Sequence, residues 1–265
     1  MEVLGNMSVD PLYEMAVQKL ASVKKVILIA SGKGGVGKSL VAVSLALALR
    51  NKGFKVGLLD LDLHGPSTGV LLSVEEKIKG DKHGLVPINL NGLEYMSLAL
   101  LVGDNPLALK GDVKERLILE IFAETKWSEL DFLVVDLPPG TGDETIVPLR
   151  LIGGKAVVFV VTTPSRVSIS VVTRLLRLLR DEGIPVKCII ENMAYLNLGD
   201  RVVKPFGESE IEKVAEDFGI DWVYKLPLDP GLEEVIRKRE SPLSSQEWSE
   251  SIKKLAGFLA EKLKS

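Results

Sequence analysis

Residues 31–39, SGKGGVGKS, constrain this chain more than any other stretch. They stand between the apolar run Val26-Ile27-Leu28-Ile29-Ala30 and the Ala/Leu/Val-rich residues 40–49. Strand, glycine loop and helix start in that order are what a phosphate-binding loop requires. Gly32, Gly37, Lys38 and Ser39 fall on the G-x-x-x-x-G-K-[ST] spacing. Glycine has no Cβ to block positive φ, so successive backbone N–H groups can turn inward as a nest for phosphate oxygens. The helix that follows adds its unpaired N–H groups and the positive end of its dipole. Lys38 is then a point charge for the β- and γ-phosphates, and the Ser39 hydroxyl a ligand for Mg²⁺.

The rest of the pattern alternates strand and helix. After the Asn51-Lys52-Gly53 break, KVGLLD (residues 55–60) reads as a strand buried on both faces. Strand, helix and strand within about thirty residues form a βαβ crossover, which makes the sheet parallel. Further strands are expected at residues 93–101, 132–136, 156–161, 187–190 and 222–226. Helices are expected at 10–22, 113–124, 168–180, 209–218 and 245–264, the first within an N-terminal extension covering 1–24. Residues 74–91 are polar, with His83-Gly84 and Asn91-Gly92 as turn signals, and read as a surface excursion. No long linker or repeat interrupts the chain, so one α/β domain over 1–265 is expected, a doubly wound, mainly parallel sheet.

Three carboxylates fall at strand ends, where such a sheet exposes its chemistry. Asp136 closes FLVVD in the Walker B form, holding Mg²⁺ directly or through water. Asp60 and Asp62 close GLLDLD, and one of them is placed to orient the water that attacks the γ-phosphate. The net charge of −3 gives no electrostatic case for nucleic acid or an acidic membrane. One cysteine, Cys188, excludes an internal disulfide and suits a reducing compartment. No apolar run reaches the roughly 18 residues of a membrane span, so a soluble, cytoplasmic protein is expected.

The loop contains a second lysine, Lys33, and KGGVGKS resembles the deviant Walker A of the MinD/ParA/Mrp ATPases. The resemblance extends through DLDLHGPS (60–67), DLPPGTGD (136–143), VTTPSRVS (161–168), IENMAY (190–195) and LPLDPGLEEVIRKRESPL (226–243). DLPPGTGD and the GPS after the paired aspartates are most similar to the Mrp branch, the Nbp- or ApbC-type iron–sulfur carriers. The resemblance implies a homodimer with ATP between the subunits, Lys33 reaching the partner's nucleotide, and Lys38 and Asp62 completing the catalytic set. It makes Asp62 the water-orienting residue, and Asp60 and Asp136 the outer carboxylates around a Mg²⁺ that Ser39 ligates. The nucleotide is held by Gly32, Lys33, Gly34, Gly35, Val36, Gly37, Lys38, Ser39 and Leu40. The same resemblance implies that residues 140–143 sense the γ-phosphate, that Asn192 reads adenine and that Pro227 with nearby backbone closes the base pocket. An N-K-x-D guanine motif is absent, which favours ATP (and its product ADP) over GTP.

The pattern is also broken. Mrp carriers follow ENMSY with a C-x-x-C pair that bridges a cluster between subunits; here the stretch is ENMAYLNLGD, without cysteine. Clusters take thiolates, usually four, and two copies of this chain offer one Cys188 each, in the apolar stretch KCII. No cluster is therefore expected. His64 and His83 are lone histidines, more in keeping with hydrogen bonding than metal ligation. The resemblance implies an ATP-driven assembly factor for metal centres. That means iron–sulfur delivery without a cluster of its own, or nickel insertion in [NiFe] hydrogenase maturation, with a metallochaperone, scaffold or apo-metalloprotein as partner. The competing reading is a MinD-like positioning switch at a membrane or nucleoid. Its anchor would be the stripe Trp248, Ile252, Leu255 and Leu259, for which the ordinary reading is a helix face docked on its own sheet, since one apolar face is what any packed helix needs. A nucleotide-bound scaffold with negligible turnover is the third reading.

Overall fold

The structure is a computed structural model, and residues 10–63, 67–102 and 111–263 are described. In chain order they form α1 (Pro11–Lys19), β1 (Val23–Ala30), α2 (Lys38–Asn51), β2 (Val56–Asp60), α3 (Ser67–Leu71), β3 (Lys79–Asp81), β4 (Gly84–Val86), β5 (Ile88–Leu90) and β6 (Leu93–Ser97). Then come α4 (Leu98–Val102), α5 (Gly111–Glu124), β7 (Leu130–Asp136), α6 (Asp143–Ile152), β8 (Ala156–Thr162) and α7 (Arg166–Asp181). The chain continues with β9 (Val186–Asn197), β10 (Val202–Val203), α8 (Ile211–Asp217), β11 (Trp222–Pro227), α9 (Gly231–Arg237) and α10 (Gln246–Lys262).

Nine strands make one sheet in the order β10-β9-β8-β1-β7-β2-β6-β5, with β11 also on β9. The pairings among β1, β2, β6, β7, β8, β9 and β11 are all parallel, whereas β5 and β10 run antiparallel to their neighbours. Strand residues alternate between two cores. Val26, Leu28 and Ala30 of β1 join one, with side chains from α1, α5, α6 and α7; Ile27 and Ile29 join the other, with α2 and α10. That double burial is why the central strands are apolar at every position rather than at every second one. β1 lies between β7 and β8 while its own crossover leads to β2, so the crevice where ligands bind in open α/β sheets opens at its C-terminal end.

Several elements differ from the sequence expectation. Residues 74–91 are not a plain excursion: β3 and β4 pair as a two-stranded hairpin and β5 adds an antiparallel edge to the main sheet. The apolar residues 93–101 are strand only to Ser97 and then turn into α4, because a short apolar run carries no period to tell strand from helix. β9 runs on to Asn197, so Asn192 lies inside a strand rather than at its end. The helices α6 and α9 were not anticipated; α6 contains Pro148, a residue that ordinarily argues against helix.

The C-terminal helix observed is Gln246–Lys262, within the expected 245–264. Trp248, Ile252, Leu255 and Leu259 are all fully or almost fully buried in the core shared with α2. The Trp248 indole N–H donates to Ser44 Oγ of α2 at 2.8 Å. The stripe is committed to the protein's own interior, which removes the anchor that the membrane-positioning reading needed. No helix among the described residues is long and apolar enough to cross a membrane.

Candidate nucleotide site

The glycine loop leaves β1 and enters α2 through two residues with positive φ, Gly35 (78°) and Gly37 (85°), Gly37 being the N-cap of the helix. A side chain is strained at those angles, and an added Cβ at Gly37 would also overlap the Asn192 amide nitrogen. Gly32 backs onto α7, where a Cβ would stand 2.9 Å from Val171 Cγ1. Gly34 and Gly35 are exposed and Val36 is buried. Ser39 and Leu40, in the first turn of α2, are half-buried. Ser31 Oγ donates to the Lys33 carbonyl at 3.1 Å, and the Gly140 N–H donates to the Ser31 carbonyl at 2.8 Å. The second bond ties residues 140–143, the expected γ-phosphate sensor, to the start of the loop.

Sheet register places the carboxylates in one row. Ile29 of β1 is opposite Asp136 of β7, Asp136 is opposite Asp60 of β2, and Asp60 is opposite Ser97 of β6. Asp60 and Asp136 are fully buried and Asp62 nearly so. Lys38 Nζ reaches Asp136 Oδ1 at 2.6 Å, a charge pair with both partners shielded from solvent. Burial outweighs the Lys38 charge and pushes the Asp136 carboxyl above the usual carboxylate range, with the Asp62 charge pushing the same way. Burial, followed by the neighbouring Asp136 charge, raises Asp60 to about 7, against hydrogen bonds from Thr68 and the Asp62 N–H.

The two buried carboxylates differ in what they have left to offer. Both Asp60 oxygens already accept hydrogen bonds: Oδ1 from the Asp62 N–H at 2.9 Å and Oδ2 from the Thr68 hydroxyl. Asp136 Oδ2 is buried without a partner among the described residues, as an acceptor facing a cation or its water would be. The site therefore fits Mg²⁺ through Ser39 and Asp136 better than through Asp60. Lys33 is half-buried, and its ammonium meets no hydrogen-bonding or ionic partner among the described residues.

A family comparison decides the broader identity: the model described as "ParA: NUBPL iron-transfer P-loop NTPase" matches residues 22–263. This chain belongs to that family of P-loop NTPases. This NTPase is 40% identical over 217 residues to an iron–sulfur cluster carrier protein of Pseudomonas fragi, covering 79% of this chain and 75% of the relative. The iron–sulfur cluster carrier protein of Methanocaldococcus jannaschii is 36% identical over 262 residues, 93% of this chain and 87% of that one. Among solved structures, a nucleotide-binding protein from Archaeoglobus fulgidus in complex with ADP superposes with a TM-score of 0.77 at 30% identity. The match covers 90% of this chain and 96% of that one. MinD of Pyrococcus horikoshii, complexed with Mg-ADP, shares the fold at TM-score 0.66 and 18% identity, over 91% and 97% of the two chains.

The remaining predicted positions of this NTPase are scattered in role. Asn192 Nδ2 donates to the Val36 carbonyl at 2.9 Å, bracing the phosphate loop from β9, and its Oδ1 is buried without a partner among the described residues. Pro227 is buried at the end of β11, beside the Leu228 N–H that donates to the Tyr195 carbonyl. Cys188 is fully buried in β9, where burial pushes its thiol up to about 12, far from the thiolate a metal takes. His83 is exposed in the β3–β4 turn, and His64 lies outside the described residues. Sequence reasoning missed Thr68 and Tyr95 and gave the Ser31 hydroxyl no role: none of the three falls on a motif position, and their partners are set by register and loop closure.

Proposed function

We propose that this NTPase is an ATP-binding and ATP-hydrolysing dimeric switch, Mg²⁺-dependent, that serves assembly of metal centres without a cluster of its own. The observation that carries the switch is the division of labour between two lysines. Lys38 is held inside by Asp136, while Lys33 stands at the loop without a partner among the described residues. In this reading the triphosphate takes Lys38 from Asp136, and Lys33 supplies charge to the nucleotide of a second copy, as an arginine finger does. Asp62 orients the attacking water. Ser39 and Asp136 would hold a Mg²⁺, which would supply charge neutralisation at the β- and γ-phosphates. Asn192 Oδ1 is the acceptor that an adenine 6-amino group would satisfy and that guanine, with a carbonyl there, would not.

The metal-assembly role is supported by the relatives, which carry the name iron–sulfur cluster carrier protein. The buried Cys188 argues that the cargo rides on a partner: a metallochaperone, a scaffold or the apo-metalloprotein client itself. Iron–sulfur delivery is the leading role, and nickel insertion in [NiFe] hydrogenase maturation is the other outcome of the test. Asp62→Ala protein loaded with ATP is captured from its native cells by affinity. Scaffold or apo iron–sulfur proteins support the first, hydrogenase-maturation proteins the second, and septum or nucleoid components would contradict both.

A further inference from the structure

Behind the carboxylate row lies a buried chain of hydroxyls for which the nucleotide site gives no immediate reason. Tyr95 of β6 and Thr68 of α3 are both fully buried. The Thr68 hydroxyl donates to Asp60 Oδ2, and its oxygen is 2.8 Å from the Tyr95 hydroxyl. Thr68 has one hydroxyl proton and Asp60 takes it, so Tyr95 is the donor in the second bond. The order of donation is Tyr95 to Thr68 to Asp60, ending on a carboxylate. Its other oxygen accepts the Asp62 N–H at 2.9 Å.

Asp60 is thus a bridge: one oxygen fixes the main chain at Asp62, the other fixes the first turn of α3. A carboxylate rotates about its bond to Cβ unless both oxygens are engaged. An accepted bond from a hydroxyl on a neighbouring element sets the plane in which Oδ1 meets the Asp62 amide. The second hydroxyl matters because the Tyr95 O–H, donating to the Thr68 oxygen, fills a lone pair on the side away from Asp60 and so favours the arrangement in which the Thr68 proton points at Oδ2. We propose that Thr68 and Tyr95 are positioning residues for hydrolysis, holding the Asp60 carboxylate so that the Asp62 main chain, and through it the Asp62 side chain, is aimed at the attacking water. This rests on the hydrolytic reading of Asp62 given above. Both side chains are fully buried and their hydroxyls are spent on Asp60 and on each other, so their loss should reach turnover and spare affinity.

The test is isosteric removal of the hydroxyl, Thr68→Val, with Thr68→Ser as the rescue and Tyr95→Phe as the outer link. Thr68→Val should slow single-turnover ATP hydrolysis about tenfold or more while leaving the Kd for ATP within about twofold. Thr68→Ser should recover most of the rate, and Tyr95→Phe should cost about threefold. Hydrogen exchange at the Asp62 amide should accelerate in Thr68→Val and return in Thr68→Ser. A folded Thr68→Val or Tyr95→Phe with wild-type turnover and wild-type Asp62 exchange would overturn the proposal, as would equal losses of affinity and rate. If the wild type itself hydrolyses nothing, the ATPase reading fails, and the exchange at Asp62 alone then decides whether Thr68 holds that main chain.

Discussion

The Lys38 ammonium lies 2.6 Å from Asp136 Oδ1, and both residues are buried. The phosphate-loop lysine and the carboxylate at the end of the neighbouring strand are therefore a matched buried pair, and a phosphate must compete with Asp136 for that lysine. Removing one partner of a buried pair costs about 3–5 kcal/mol, because the other charge stays behind unpaired. Lys38→Ala should lose nucleotide binding in calorimetry and should also melt lower than wild type. Without Lys38 the buried Asp136 favours its neutral form still more. The loss of stability should therefore be larger at pH 8, where the carboxyl must ionise, than at pH 5.

Lys33→Ala removes no side-chain hydrogen bond or ion pair to the described residues, so the variant should fold and its affinity for ATP should stay within about twofold of wild type. Turnover should fall by at least about 10²-fold, the scale of a lost charge at the transferring phosphoryl group. Steady-state phosphate release alongside an equilibrium binding curve checks both halves.

Asp60 has a folded pKa near 7 against an ordinary value of 3.8. Between those values the folded protein binds the proton that the unfolded chain gives up, so this group's contribution to stability is present below about pH 4 and is lost as pH rises through 7. Asp60→Asn removes that dependence. Thermal melts of the two proteins across pH 5 to 8 should show the variant gaining on wild type up to about pH 7 and levelling off above it; a constant gap would contradict the assignment.

Ile252 is fully buried between α10 and the rest of its core, and Ile252→Ala should destabilise by about 2–5 kcal/mol in denaturant unfolding. The same burial predicts that vesicles of anionic lipid will not co-sediment the ATP-loaded wild type through this helix. ATP-dependent pelleting that Ile252→Ala abolishes would contradict the docked helix.

Much of the fold was legible because parallel strands buried on both faces leave an unmistakable trace: VILIA, FLVV and AVVFVV are apolar throughout, as is GLL before Asp60. The site was legible where chemistry demands a fixed residue type at a fixed spacing, as at Gly37, Lys38, Ser39 and Asp136. What escaped was set by partners distant in sequence. Strands β3, β4 and β5 are three residues each, too short for an alternation to show, so only pairing makes them strands. The helix α6 begins on residues that a loop also favours and carries Pro148. Asn192 reads as a strand-end residue until β11 is seen to extend β9 beyond it. Thr68 and Tyr95 meet only because β6 lies beside β2.

The central claim is that two copies close over ATP and lend each other Lys33, and it is tested most directly by the mass of the Asp62→Ala protein in sedimentation equilibrium with saturating Mg-ATP. The account predicts a dimer with ATP, a monomer when Lys33→Ala is added, and no comparable dimer with ADP. A protein that remains monomeric at saturating ATP, or dimerises equally well without Lys33, would contradict it.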